Sequence, residues 1–373
     1  MIMNALLPGD RHRLADRSAD SARAASLDHC PPQRILIVTD AWAPQINGVV
    51  RSYENIIREL RAMGHDVDVI GPQGFPTVPL PGYGEIALAL LPYRRLARRI
   101  ADFAPDMIHI AVEGPLGWAA RRYCLRHGLP FSTSFHTNFP AYIALRAPRL
   151  ARATLERATL SMLRRFHDAA HHTFVASPSI EAQLRAWGFV APLRRLSRGV
   201  DAGLFYPAPE RPRADVPVLL YVGRVAPEKN LDGFLSLTEA ATGPTRKVVV
   251  GDGPALEALR RAYPDVTFRG VLTGQALAEA YRAADAFVFP SRTDTFGIVL
   301  IEALASGLPI AAHDVPGPCD IVTDPTLGAL DADLGRAIRR ALDAPGSRLQ
   351  RSVHAKAQYT WSAVAQSFVR HRA

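Results

Sequence analysis

A chain of 373 residues exceeds what one hydrophobic core usually serves, and 48% hydrophobic residues is ordinary for a folded globular protein, so two domains are expected. No uncharged apolar run reaches the roughly 18 residues of a membrane-spanning helix, and the net charge of +9 is unevenly spread. Three scattered cysteines (Cys30, Cys124, Cys319) form no CxxC pair, which argues against a disulfide framework or structural zinc and fits a reducing cytosol.

The first 33 residues mix Arg, Asp, Ser and Ala without an apolar centre. They do not read as a signal peptide and are expected to form a poorly ordered tail. From Arg34 onward, apolar strand-like runs alternate with helix-like segments. Strands are predicted at 34–39, 66–70, 107–110, 131–135 and 173–176, with helices starting near Gly48, Leu91, Gly114, Leu150 and Ser179. A Pro-rich stretch, Pro207–Arg213, interrupts the series. A second series follows, with strands at 216–222, 247–250, 266–268, 286–289 and 309–312. Its helices start near Asn230, Pro254, Thr273, Gly297 and Asp333. Repeated βαβ units with strands buried on both sides imply parallel sheets covered by helices. The expected organisation is a tail (1–33), one doubly wound domain (34–206), a linker (207–215), a second doubly wound domain (216–360) and a C-terminal amphipathic helix (361–373) that packs back on the first domain. Ligands of such sheets bind beyond the carboxyl ends of the strands, here in the cleft between domains.

The most informative segment is Phe289-Pro-Ser-Arg-Thr-Asp-Thr-Phe-Gly-Ile-Val-Leu-Ile-Glu302. A buried strand ends at Pro290, and a helix opens near Phe296 or Gly297. The amides of Phe296, Gly297, Ile298 and Val299 then form an anion site at the helix N-terminus. Gly297 permits close approach of a phosphate, Glu302 is placed to accept hydrogen bonds from a ribose diol, and Asp294 to meet sugar hydroxyls. The plain alternative is a capped helix with a solvated Glu302. A second segment, Tyr221-Val-Gly-Arg-Val-Ala-Pro-Glu-Lys229, offers Arg224 and Lys229 as cations. Arg can bind an anion bidentately, while Lys supplies a point charge. A third, Asp40 to Tyr53, places Gly48 at a helix start. In a fourth, Thr133-Ser-Phe-His-Thr-Asn138, His136 ends a strand. Glu113 also follows a strand end, Arg198 lies in Ser197-Arg-Gly-Val-Asp201, and Gly251-Asp-Gly253 follows another strand.

Together these segments resemble glycosyltransferase family 4, over nearly everything from Arg34 onward, in the branch with sulfoquinovosyl, glucosyl and glucuronosyl lipid transferases and mannosyltransferases. The resemblance implies the GT-B fold, α/β with two Rossmann-like domains, and retention of anomeric configuration. It makes Asp294 and Glu302 the E-x7-E pair, with Asp in place of the first Glu. It makes Arg224 and Lys229 the diphosphate clamp and His136 the histidine beside the donor sugar. Gly48, Gly251 and Gly253 become donor contacts, and Glu113 and Asn138 acceptor contacts. It implies a UDP- or GDP-linked sugar as co-substrate and no metal or other cofactor.

Several patterns are set aside. Gly251–Leu256 and Gly82–Ala87 are incomplete dinucleotide fingerprints, the latter after a Pro-rich loop rather than a strand. Asp66 and Asp68 alternate inside a predicted strand, which is no setting for a metal motif. His171–His172 lacks further ligands. Without a dinucleotide fingerprint a nicotinamide dehydrogenase is excluded.

Between Leu91 and Ala170 stand thirteen arginines against five acids. A solvated helix face is the plain reading. With sparse aromatic interleaving and no nucleic-acid motif, an anionic membrane surface is the sharper one, and nucleic acid is not expected as a partner. The expectation is therefore a cytoplasmic transferase, peripheral at the membrane, acting on a lipid such as diacylglycerol. The alternatives are a mannosyltransferase using GDP-mannose and a nucleotide-sugar-binding module without catalysis.

Overall fold

Strands that bury alternate residues on opposite sides need cover on both faces, and helices supply it. The computed structural model describes residues 31–371 apart from 44, 46, 81–82, 137–139, 141–148 and 211–214. Residues 1–30 of the expected tail and Asn138 therefore lie outside the described residues.

The first half runs β1 (Arg34–Val38), α1 (Gly48–Ala62), β2 (Asp66–Ile70), β3 (Thr77–Leu80), β4 (Tyr83–Ala89), α2 (Tyr93–Phe103), β5 (Met107–Ile110), α3 (Pro115–His127), β6 (Ser132–Ser134), α4 (Arg149–His167), β7 (His172–Val175), α5 (Pro178–Ala186) and β8 (Leu193–Arg195). The second half runs β9 (Val218–Val222), a 3₁₀ turn (Pro227–Lys229), α6 (Leu231–Leu235), α7 (Glu239–Thr242), β10 (Arg246–Val250), α8 (Leu256–Ala262), β11 (Thr267–Phe268), α9 (Gly274–Ala283), β12 (Ala286–Phe289), α10 (Ile298–Ala305), β13 (Ile310–Ala312), α11 (Pro318–Ile321), β14 (Gly328–Leu330), α12 (Leu334–Leu342), α13 (Arg348–Gln358) and α14 (Trp361–Arg370).

Each half holds one six-stranded sheet, in the orders β2-β1-β5-β6-β7-β8 and β11-β10-β9-β12-β13-β14. Every pairing within them is parallel. In β1, Ile35 and Ile37 enter one core cluster and Leu36 and Val38 another. In β9, Leu219 and Tyr221 face one cluster and Leu220 and Val222 the other. In the second sheet the strand order reverses between β9 and β12, and in the first between β1 and β5. These are the positions where doubly wound sheets open a crevice at their strand ends.

α14 comes last in the chain but packs on α1 of the first half. Trp361, Val364, Ala365, Phe368 and Val369 share a core cluster with Tyr53, Ile56, Ile57 and Leu60. Thr360 caps α14, accepting from the Ala363 amide at 3.2 Å. Gly199 marks the crossing, because a Cβ there would lie 2.5 Å from the Trp361 nitrogen.

Three differences from the sequence reading stand out. The segment expected as a Pro-rich loop pairs as the antiparallel hairpin β3–β4, with an irregular register at Pro79. α10 starts at Ile298, not at Phe296 or Gly297. The positive φ of Gly297, 87°, turns the chain into it, so Phe296 precedes the helix and is buried instead. α2 starts at Tyr93, leaving Leu91 outside it at φ 46° and 96% exposed.

Candidate active site

The carboxyl ends of both sheets meet across a cleft, and direct contacts bridge it. Asn47 caps α1, its side-chain oxygen accepting from the Val49 and Val50 amides at 3.0 Å each. The start of α1 faces the start of α10 closely: a Cβ on Gly48 would lie 3.9 Å from the Ile298 side chain. One turn further, Arg51 reaches Glu302 at 3.7 Å. Thr295 Oγ1 donates to the His136 carbonyl at 2.8 Å. Near the far rim, the Ser179 amide donates to Asp320 at 3.1 Å.

On the second half, the loops after β9, β10 and β12 lie side by side. Lys229 and Asp294 form an ion pair of 2.5 Å. The other Asp294 oxygen, Oδ2, is buried without a hydrogen-bond partner, as is Thr293 Oγ1 beside it. Arg224 follows β9 and is half-buried, its carbonyl accepting from Tyr221 at 2.8 Å. Gly251 and Gly253 have a backbone reason to be glycine. A Cβ on either would strike the carbonyl of Gly223 or Val225, at 1.8 and 2.3 Å, where the two loops zip together.

Glu302 is buried on α10. Its Oε2 accepts from the Tyr281 hydroxyl at 2.9 Å, and Oε1 faces Arg51. Burial raises its carboxyl above the usual range, while Arg51 and the Tyr281 hydrogen bond oppose the shift. No side chain caps α10, so its leading amides point out of the helix at the level of the cleft.

On the first half, His136 follows β6. Its Nδ1 meets Arg198 at 3.0 Å and its Nε2 meets Tyr53 Oη at 3.1 Å. Glu113, after β5, is bonded to His167 at 2.9 Å and its side chain is buried. Asp40, at the end of β1, accepts from the Leu116 and Gly117 amides at the start of α3, at 3.0 and 3.2 Å. Burial pushes its carboxyl up to about 6 despite those bonds. The set-aside acids behave as surface groups: Asp66 pairs with Arg34 at 3.4 Å and Asp68 with Arg99 at 2.8 Å.

The structure thus brings together Gly48, His136, Lys229, Asp294, Ile298 and Glu302 through contacts or one intervening residue. Sequence reasoning missed Arg51, Tyr53 and Thr295. Tyr53 was legible only as an apolar-face residue of α1, and the partners of Arg51 and Thr295 lie 251 and 159 positions away in the chain.

A groove of about 970 Å³ opens on α2 and α3. Arg94, Arg121, Arg122, Arg126 and Arg165 line it with Trp118, and among the described residues no acid lines it. Arg121 lies over Trp118 at 5.3 Å, and Arg122 over Tyr93 at 5.0 Å.

Two parallel-sheet halves, joined across strand ends that carry cations, a helix N-terminus and a buried acid, define a GT-B glycosyltransferase. The profile for Glycosyltransferase Family 4 matches residues 46–204, and that for Glycosyl transferases group 1 matches residues 216–343. A GDP-mannose-dependent alpha-mannosyltransferase of Mycobacterium tuberculosis is 33% identical over 80% of this chain and 83% of its own length. The sulfoquinovosyl transferase SQD2 of Arabidopsis thaliana is 32% identical over 79% of this chain, which spans only 62% of that protein. An alpha-monoglucosyldiacylglycerol synthase of Streptococcus pneumoniae is 26% identical over 83% of this chain and 78% of its own. Among solved structures, sucrose-phosphate synthase of Thermosynechococcus elongatus superposes with a TM-score of 0.71 at 22% identity, over 91% of this chain and 98% of that one. The chain belongs to glycosyltransferase family 4.

Proposed function

We propose that this glycosyltransferase moves a hexose or hexuronic acid from a nucleotide-sugar to a hydroxyl of a membrane lipid such as diacylglycerol, with retention and without a divalent metal. The observation that carries the donor side is the Lys229–Asp294 pair in the loops beside the uncapped α10 N-terminus, at the strand-order reversal of the second sheet, with Arg224 in the same loop as Lys229. Positive charge concentrated there stabilises a departing diphosphate in the role a metal ion would otherwise fill. Glu302, on the same helix, anchors the ribose once its carboxylate exchanges the Arg51 contact for a diol. The orphan Oδ2 of Asp294 and Oγ1 of Thr293 receive sugar hydroxyls, since buried polar atoms without partners favour a polar ligand. Retention would follow if the acceptor hydroxyl arrives on the face the diphosphate leaves, its proton passing to a diphosphate oxygen.

The lipid acceptor is supported by the arginine groove beside the exposed Leu91 and Leu125, which suits an anionic membrane surface at the cytoplasmic face. The diacylglycerol-glucosylating relative favours the same acceptor class. A second reading, mannosyl transfer from GDP-mannose, is favoured by the identity with the mycobacterial mannosyltransferase. One experiment separates them: a panel of UDP- and GDP-linked sugars is incubated with the protein and a membrane lipid extract, in excess chelator, with products identified by mass spectrometry. A glycosylated diacylglycerol formed in chelator is the expected product. Transfer only to a glycan, or only with added metal, would overturn the corresponding part of the proposal.

A further inference from the structure

The loop after β8 brings a buried cation, Arg198, against His136. Arg198 is 7% exposed. Its Nη1 donates to the carbonyls of Leu196 and Ser197, at 2.7 and 2.9 Å, and its Nη2 points at His136 Nδ1. No carboxylate forms an ion pair with it among the described residues. The loop is fixed from behind: the Val200 amide donates to the Tyr359 carbonyl at 3.0 Å, and Gly199 lies against Trp361. The guanidinium is therefore held by two main-chain carbonyls, in a loop that is itself anchored from behind.

A guanidinium has only donors, so the His136 nitrogen it meets must offer a lone pair. The ring proton is then on Nε2, aimed at Tyr53 Oη. The Tyr53 hydroxyl donates in turn to His109 Nε2 at 2.7 Å or to Ser134 Oγ at 3.0 Å, and His109 Nδ1 meets Ser132 Oγ at 2.9 Å. With both ring nitrogens engaged, the His136 main chain is fixed where its carbonyl receives Thr295, next to Asp294 in the donor loop.

We propose that Arg198 is a positioning residue of the transfer reaction, which locks His136 in the neutral Nε2–H form and thereby sets the first half's edge of the donor-sugar site. The groups facing His136 are Arg198 from the β8 loop, Tyr53 from α1, His109 from β5, His167 from α4 with its partner Glu113, and Thr295 across the cleft. Burial holds His136 well below the usual histidine range, and Arg198 is the next largest cause. Removing the cation therefore raises the pH at which His136 takes a proton. The inference uses transferase activity as one readout but does not depend on which donor or acceptor is correct.

The test has two arms. In the full-length wild-type protein labelled with ¹⁵N-histidine, the His136 resonances, assigned by their loss in His136→Gln, are expected to show a neutral ring protonated on Nε2. A ring protonated on Nδ1, or an imidazolium at neutral pH, would overturn the lock. In Arg198→Met, kcat is expected to fall about 10²-fold, the scale of a small misplacement at a reacting centre, with the donor KM little changed. The acid limb of the kcat profile moves to higher pH, and Arg198→Lys restores part of the rate. An Arg198→Met enzyme with wild-type kcat and pH profile, or one altered only in donor KM, would also overturn it. If Arg198→Met does not fold, the wild-type tautomer decides the question by itself.

Discussion

Lys229 is the side chain on which the donor reading leans hardest, and in the structure its charge is already engaged by Asp294. A diphosphate must compete with that carboxylate for the ammonium, whereas Arg224 brings a rigid fork of donors to the same loop. Removing one preorganised donor to a developing anion lowers kcat by about 10²–10³-fold. Arg224→Ala and Lys229→Ala are each expected to fall in that range in single-turnover assays, and full activity in either would remove the clamp from the mechanism. Asp40 gives a residue-scale prediction in pH. Its folded pKa of about 6 lies above the unfolded value near 3.9, so the folded state binds more protons between those values. The stability it contributes is present at low pH and lost as pH rises through about 6, up to about 3 kcal/mol by linkage. Asp40→Asn is expected to flatten the fall in melting temperature between about pH 4 and 6. An unchanged pH dependence in that variant would mean the carboxyl titrates normally.

At the scale of elements, legibility followed burial. β1, β5, β9 and β12 were plain because continuous apolar runs leave a strand little other use. The hairpin β3–β4 was not, since Pro79 and the Pro-Gly pair that follows it in the sequence read as breakers and the two strands stand outside both main sheets. β8 escaped because it is an edge strand whose Arg194 and Arg195 are exposed, a charged edge that discourages further pairing. The donor loop was readable as one contiguous motif. The cross-cleft partners were not, because Arg51–Glu302 and Thr295–His136 depend on how two halves meet rather than on any local pattern. α14 lies between these cases: its amphipathic spacing was visible, and its docking on α1 follows from the apolar side it must cover. Phe368 is fully buried there, stacked on Phe174 at 5.5 Å between ring centroids. Phe368→Ala is expected to cost about 3–5 kcal/mol in urea titrations. Hydrogen exchange should rise in α1 as well as in α14. Protection unchanged in Tyr53–Leu60 would mean that the two helices do not share a core.

For the whole molecule, the distribution of charge makes a claim that no single residue can. The chain carries a net +9, yet its arginines crowd the first half and, among the described residues, meet no acid in the groove on α2 and α3. Leu90, Leu91 and Leu125 are exposed at or beside this groove, with Leu155 and Met162 exposed on α4. Apolar side chains among arginines suit the headgroup layer of an anionic bilayer, where each Arg near the surface contributes about 1 kcal/mol. Such attraction is screened over about 10 Å at 0.1 M salt, whereas the apolar contribution is not. Binding to vesicles rich in phosphatidylglycerol should therefore be strong at low salt and fall as salt rises. Neutral phosphatidylcholine vesicles should bind weakly at any salt. Arg122→Glu with Arg126→Glu should abolish most of the salt-sensitive part, while Leu91→Ser lowers the remainder. Because the groove shares no lining residue with the contacts that bridge the cleft, the charge-reversed enzyme should keep its rate on a detergent-solubilised acceptor and lose it on vesicles. Equal binding to neutral and anionic vesicles, or equal loss of rate on both acceptor forms, would separate this face from the membrane and return the arginines to a solvated helix surface.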